Sequence, residues 1–223
     1  MSYDLQEWFA AIHRGDIAAV ESRLARHPAL ASARHESGLS SVMWACYSRQ
    51  PAIVTRLVAA GVALDLFEAV AVGDERACHM WLMRDQSLVT AWTPDGFTAL
   101  HFAAFFARPA LAGRLLELGA DPAAAARNES AVQPLHSAAA SGDIATARML
   151  LQRRVDPDAR QALGFTALMS AAQQGNTAFV ELLLKRGADR TLRSEDGRMA
   201  ADFADERGHH ALAATLRAEP AAG

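Results

Sequence analysis

The 223-residue sequence has only two cysteines, Cys46 and Cys78. Both fall in helical patterns on small-residue faces, so they are expected to be buried, reduced thiols rather than a disulfide or a nucleophile. No stretch approaches the ~20 apolar residues of a membrane span. The opening Met1-Ser2-Tyr3-Asp4-Leu5-Gln6-Glu7 carries acid where a secretory leader carries base, and no apolar segment follows it. The expectation is a cytoplasmic chain that does not associate with membranes. Charge is modest and mixed: charged residues make up 21% and the formal net charge is -3. A nucleic-acid binder needs a basic stripe to neutralise phosphates, and none is present. Signatures of catalysis are missing as well. No Gly-rich phosphate loop follows a strand, no paired metal-ligand spacing occurs, and Ser130, Ser137 and Ser170 have no base at a nucleophile elbow. His209 and His210 are adjacent, do not share a helix face, and have no third ligand. The sequence therefore points away from an enzyme, a cofactor or a metal.

What the chain does have is repetition, embedded in a composition that is 51% hydrophobic and so excludes wholesale disorder. The stretch Asp95-Gly96-Phe97-Thr98-Ala99-Leu100-His101-Phe102-Ala103-Ala104 combines a turn, a hydroxyl-bearing cap and a small-residue helix face. Gln133-Pro134-Leu135-His136-Ser137-Ala138-Ala139 is a second copy, and Gly164-Phe165-Thr166-Ala167-Leu168-Met169-Ser170-Ala171-Ala172 a third. Leu100, Leu135 and Leu168 are 35 and 33 residues apart. A fixed period in that range is the mark of a repeat solenoid.

Taken in order, the chain opens with a helix that stops at Gly15 and a second helix, carrying Ile17, Val20 and Leu24, that ends near His27-Pro28. The next unit turns at Ser37-Gly38, is capped by Ser40 and closes at Gly61, with Trp44 and Tyr47 unusually large for its first helix. Leu66 then follows Gly61 by only five positions, too few for a hairpin. Residues 8–61 and 66–119 match at a constant offset of 58, which suggests two sub-arrays and a change of curvature near 62–66. From Thr93 onward the units are regular, except that Arg154 stands where a closing glycine is usual. The last unit loses its leucine and becomes charged, as a terminal unit with a wet outer face should. Residues 219–223 are expected to fray.

These residues resemble ankyrin repeats, whose signature is Thr-Pro-Leu-His followed one residue later by Ala. His101 and His136, the Gly-Ala-Asp endings at 119–121 and 187–189, and the Ala-Ala pairs at 103–104, 138–139 and 171–172 carry the likeness over about residues 5–217. No copy has the full tetrad: Ala99 and Ala167 replace proline, Gln133 replaces threonine, and Met43 and Met169 replace histidine. The alanine- and arginine-rich usage suggests a bacterial source. The resemblance implies an all-α, right-handed repeat solenoid of about seven helix-turn-helix units joined by β-hairpin-like loops, the hairpin being absent between repeats 2 and 3. As a single domain over 1–223 it would comprise an N-terminal cap at 5–28, repeats at 29–61, 62–92, 93–125, 126–158 and 159–191, and a C-terminal cap at 192–217. It also implies that His101 and His136 are structural, bonding neighbouring backbone.

The family likeness further implies a non-catalytic scaffold, a monomer on its own, that binds another protein on its concave face. There the hairpin tips and the two residues after each Ala-Ala pair are exposed. Carried onto this sequence, those positions include Tyr47, Phe105, Phe106, Gln173 and Gln174 on the helices and Phe97 and Phe165 on the hairpins, with Leu163 beside Phe165. Clustered exposed aromatics are candidate hot spots. Arg127, Arg160 and Arg193 recur every 33 residues, and Arg34 aligns with them through the 58-residue offset, where the second copy has Trp92. This arginine ladder is expected either to pair with a partner's carboxylates or simply to bond local carbonyls. Glu195, Asp196, Asp205 and Glu206 make the C-terminal end of the face acidic. The alternative function is a dedicated accessory, inhibitor-like or chaperone-like, for an enzyme encoded nearby.

Overall fold

The computed structural model describes residues 4–218, so the expected fraying of 219–223 lies outside the described residues. Among them are fourteen α-helices, which follow one another as helix pairs and define an all-α repeat solenoid class of fold. The chain forms two compact units, Met1–Trp81 and Leu82–Gly223.

The first unit begins with α1 (Leu5–Arg14) and α2 (Ile17–Arg26). Asp4 and Asp16 cap the two helices by accepting the amides of Glu7 and Ala19. Gly15 ends α1 at φ 72°, in the left-handed conformation that glycine enters without steric penalty. A short 3-10 turn, Pro28–Ser32, leads to a hairpin closed by an antiparallel bridge between Arg34 and Ser40. Ser40 then caps α3 (Ser41–Tyr47), and Pro51 opens α4 (Pro51–Ala59). Trp8, Phe9, Ile12, Val20, Leu30, Val42, Ile53 and Leu57 are buried together as one core.

The two large residues of α3 behave differently. Trp44 is half-buried, and its indole N–H donates to the Phe9 carbonyl (3.0 Å) while its ring lies against Phe9 and His35. Tyr47 is exposed. After Gly61 no hairpin forms, and α5 (Leu66–Val72) starts almost at once. A capping box makes that abrupt start viable. Asp65 accepts the Glu68 amide (2.8 Å), and the buried Glu68 carboxylate accepts the Asp65 amide (2.9 Å). Helix α6 (Glu75–Arg84) follows, and the boundary between the two compact units falls within it, later than the irregular stretch at 62–66.

The second unit is the regular one. Its first helices are α7 (Ala99–Phe105), α9 (Pro134–Ser141), α11 (Ala167–Gln173) and α13 (Ala200–Glu206), which pack in series. Small residues make this approach possible: Ala103, Ala104, Ala138, Ala139, Ala171 and Ala172 are all buried between neighbours. The second helices, α8 (Pro109–Glu117), α10 (Ile144–Gln152) and α12 (Thr177–Lys185), form a parallel row with Leu115, Leu150 and Leu183 turned inward, and α14 (His210–Arg217) packs on α13. Adjacent units are tied by side chains that reach the preceding helix end. Ser141 Oγ donates to the Ala104 carbonyl (2.7 Å) and Gln174 Nε2 to the Ala139 carbonyl (2.8 Å).

Hairpin-like loops precede α7, α9, α11 and α13, and backbone hydrogen bonds zip each to the next. The Arg127 N–H donates to the Gly96 carbonyl (2.9 Å), Ala162 to Ser130 (2.8 Å) and Glu195 to Leu163 (2.9 Å). Pro94 occupies the matching position in the first of these loops and has no N–H to give. Gly96 lies at φ 86°, and a β-carbon there would come within 2.8 Å of the Arg127 main chain. In the last repeat, Arg198 pairs with Asp196 and Glu206, and Arg217 with Asp202 and Asp205. Hydrogen bonds from Arg198 and Ser194 hold the Asp196 carboxyl down to a pKa of about 2. The acidic end is thus largely neutralised within the chain, and among the described residues only Glu195 of its four carboxylates is not ion-paired.

Arg154 adopts φ 61°, in the position where sibling repeats place glycine. Holding a side chain there costs about 1 kcal/mol relative to glycine. Arg154→Gly should therefore raise the melting temperature by a few degrees in calorimetry, with the helical circular dichroism unchanged.

Candidate partner-binding surface

In the loop before α7, Thr93 and Phe97 close the turn through the Thr93 N–H and Phe97 carbonyl (2.8 Å), and Trp92 bridges Thr98. This fixes Trp92 and Phe97 on the two arms of one hairpin. His101, one turn into α7, sits between them: its ring centroid is 6.2 Å from that of Trp92 and 5.6 Å from that of Phe97. Phe97 also meets Phe102 edge-on at 6.3 Å, Phe102 stacks with Phe106 at 6.3 Å, and Phe106 meets Phe105 edge-on at 5.1 Å. A continuous chain of rings therefore runs from the hairpin to the end of α7. Phe102 and His101 are buried beneath it, Trp92, Phe97 and Phe106 are half-buried, and Phe105 is 41% exposed. Such edge-to-face contacts favour one arrangement of the rings over others.

His101 holds the base of this cluster. Its Nε2 donates to the Val132 carbonyl (2.9 Å), and Nδ1 accepts the Thr98 N–H (3.1 Å), so the neutral Nε2–H tautomer is the one that satisfies both bonds. His136 repeats the geometry, with Nε2 to the Ala159 carbonyl (2.9 Å) and Nδ1 accepting the Gln133 N–H (3.0 Å). Burial lowers the pKa of both imidazoles. Both imidazoles bond neighbouring backbone, the geometry that the sequence likeness implied. Gln133, standing where its siblings place Thr98 and Thr166, leaves its side-chain oxygen buried and without a hydrogen-bond partner among the described residues.

The other sequence-derived positions distribute as follows. Phe165 does not join the ring chain; it packs on Phe203 at 4.8 Å, with the Arg198 guanidinium over the far ring at 4.2 Å. Gln173 is half-buried, and Gln174 is exposed but committed to the Ala139 carbonyl. Tyr47 and Arg34 belong to the first unit. Among the ladder arginines, Arg34 donates to the Gly38 carbonyl (2.9 Å), Arg160 to Arg193 (3.0 Å) and Arg193 to Gly197 (2.6 Å). Arg127 instead lies over Trp92, with its guanidinium carbon 4.2 Å from the ring centroid. That stacking was not foreseen from the sequence, although the spacing aligns Trp92 with Arg127; the longer loop puts Arg127 one place after the closing residue Ala126, whereas Trp92 stands one place before Thr93.

Three further exposed apolar side chains stand out. Leu163 is 70% exposed at the tip of its hairpin and lies at φ 62°, where a non-glycine residue is strained. Met80 and Met83 are exposed on α6; neither was singled out from the sequence, where they read as ordinary helix positions. Cys46 and Cys78 are free thiols, and burial raises the pKa of Cys78 to about 12, which leaves no nucleophilic thiolate near neutral pH. Among the described residues no His, Cys, Asp and Glu cluster could hold a metal ion, and no helix is long and apolar enough to cross a membrane.

Comparison with known families agrees with this architecture. An ankyrin repeat matches residues 95–127, and ankyrin repeats in many copies match residues 135–184. The chain carries ankyrin repeats over those two stretches. Ankyrin repeats are generally protein–protein interaction modules and non-catalytic binding scaffolds.

The two buried imidazoles set a pH dependence. Because the folded state holds them neutral, their contribution is complete above the ordinary imidazole pKa near 6.5 and is lost as pH falls below it, when the unfolded chain takes up protons first. The melting temperature should be level from pH 8 to 7 and decline below pH 6.5. His101→Gln should melt lower at pH 7 and show a shallower decline.

Proposed function

We propose that the chain is a non-catalytic scaffold that binds a partner protein on the face made by its hairpin tips and the ends of its first helices. The aromatic run Trp92–Phe97–Phe106–Phe105 is the centre of that contact in this reading. The observation that carries it is the exposure of Phe105 at 41%, held edge-on against Phe106 at the end of α7. Aromatic side chains with few rotatable bonds lose little entropy on binding and bury a large area, which is why they dominate interface energetics.

The remaining sequence-derived positions play lesser parts. Gln174, Arg160 and Arg193 have intramolecular acceptors, so engaging a partner through them requires breaking bonds already made. Phe165 is braced by Phe203 and serves as a flank of the surface, with Leu163 beside it. A buried thiol kept protonated, as at Cys78, suits a reducing compartment such as the cytoplasm.

The test is the pair Phe105→Ala and Phe105→Ala/Phe106→Ala, measured against the partner recovered by copurification with the full chain. The single variant should weaken binding by about tenfold and the double variant by more, with helical content retained in both. Unchanged affinity in the folded double variant would contradict this assignment of the surface.

A further inference from the structure

Arg127 differs from the other arginines of its ladder in what holds it. In the loops that follow, Arg160 and Arg193 donate to main-chain carbonyls. The loop that Arg127 enters is longer: it closes from Ala126 to Val132, whereas its siblings close from Thr93 to Phe97, Gln161 to Phe165 and Ser194 to Arg198. Among the described residues no carbonyl or carboxylate accepts a hydrogen bond from its guanidinium. The group lies over the indole of Trp92 at 4.2 Å, at one end of the ring chain that finishes in Phe105.

We infer that Arg127, stacked on Trp92, is the anion-receiving corner of the aromatic surface, and that the segment docking there is a peptide carrying a carboxylate beside apolar side chains. This deepens the proposed function and rests on it. With its carbon over the indole and no acceptor among the described residues, the guanidinium keeps its N–H donors available for a planar bidentate acceptor. Stacking also fixes the side chain in advance, which lowers the entropy lost when an acceptor arrives. The surroundings select for a single charge. Asp95 and Glu129, on the same two loops, are exposed carboxylates and oppose a dianion or a polyanion, while one guanidinium balances one carboxylate. Arg160 and Arg193 are each anchored by a donor to a main-chain carbonyl, so an acceptor arriving there competes with a bond already made.

Selection of a library of short random peptides on the full chain tests this directly. Peptides recovered should carry Asp or Glu at a constant spacing from an aromatic or large aliphatic residue. The best of them should bind Arg127→Gln about tenfold more weakly and lose affinity with added salt, and Arg127→Lys, which keeps the charge but not the fork, should recover only part of the loss. Thermal melting should show both variants folded. An apolar consensus with no acidic position, or equal binding to Arg127→Gln, overturns the inference and leaves the aromatic surface standing. Preference for phosphopeptides or for a single-stranded oligonucleotide overturns it as well. Recovery of peptides that bind Phe105→Ala/Phe106→Ala as tightly as the parent contradicts the aromatic surface itself, and the inference falls with it.

Discussion

The second unit depends on the register between one hairpin and the next. A helix pair with one alanine-lined face and one leucine-lined face cannot bury both alone, so neighbours must stack, and stacking is useful only at one relative height. Two sets of bonds set that height. Backbone bonds join Arg127 to Gly96, Ala162 to Ser130 and Glu195 to Leu163, and the imidazoles of His101 and His136 reach from each helix to a carbonyl of the next loop. All these groups are main chain or buried, where a lost partner costs far more than a surface contact returns. Gly96 illustrates the tightness of the fit, since its neighbour's main chain occupies the space a β-carbon would need.

The candidate surface is a by-product of the same register. His101 is at once the bridge to Val132 and the floor on which Trp92 and Phe97 rest. Arg127 is likewise both the donor that joins its loop to Gly96, through its amide, and the cation over Trp92, through its side chain. A candidate surface built in this way is organised by the fold itself, and the repeats that flank it act as its frame. Pro94, exposed and lacking an N–H, begins the ladder without offering a further donor at that end.

Much of this was legible in the sequence wherever one residue type performs a local task. Gly15 ends a helix because it tolerates positive φ, Ser40 caps one because its hydroxyl accepts an amide, and the 33-residue spacing places alanines face to face. Features set by distant neighbours were not legible. Phe106 is half-buried because it stacks on Phe102, while Phe105 stays exposed, and Trp44 fits a helix of small residues where the Phe9 carbonyl meets its indole and the Phe9 and His35 rings pack on it. The arginine ladder is uniform in sequence and divided in structure, because the lengthened loop leaves Arg127 stacked on a ring while Arg160 and Arg193 find carbonyls. The start of α5 without a hairpin was visible as missing length, but its cause, the reciprocal cap of Asp65 and Glu68, lay unremarked in the same residues.

Native-state hydrogen exchange at the amides of Arg127, Ala162 and Glu195 tests the register most directly. These residues sit in loops, with side chains that are exposed, so without inter-loop bonds they would exchange as open turns do. A continuous ladder predicts slow exchange at all three, with protection close to that of the buried helices α9 and α11. Exchange at the rate of an unstructured loop at any of them would contradict it.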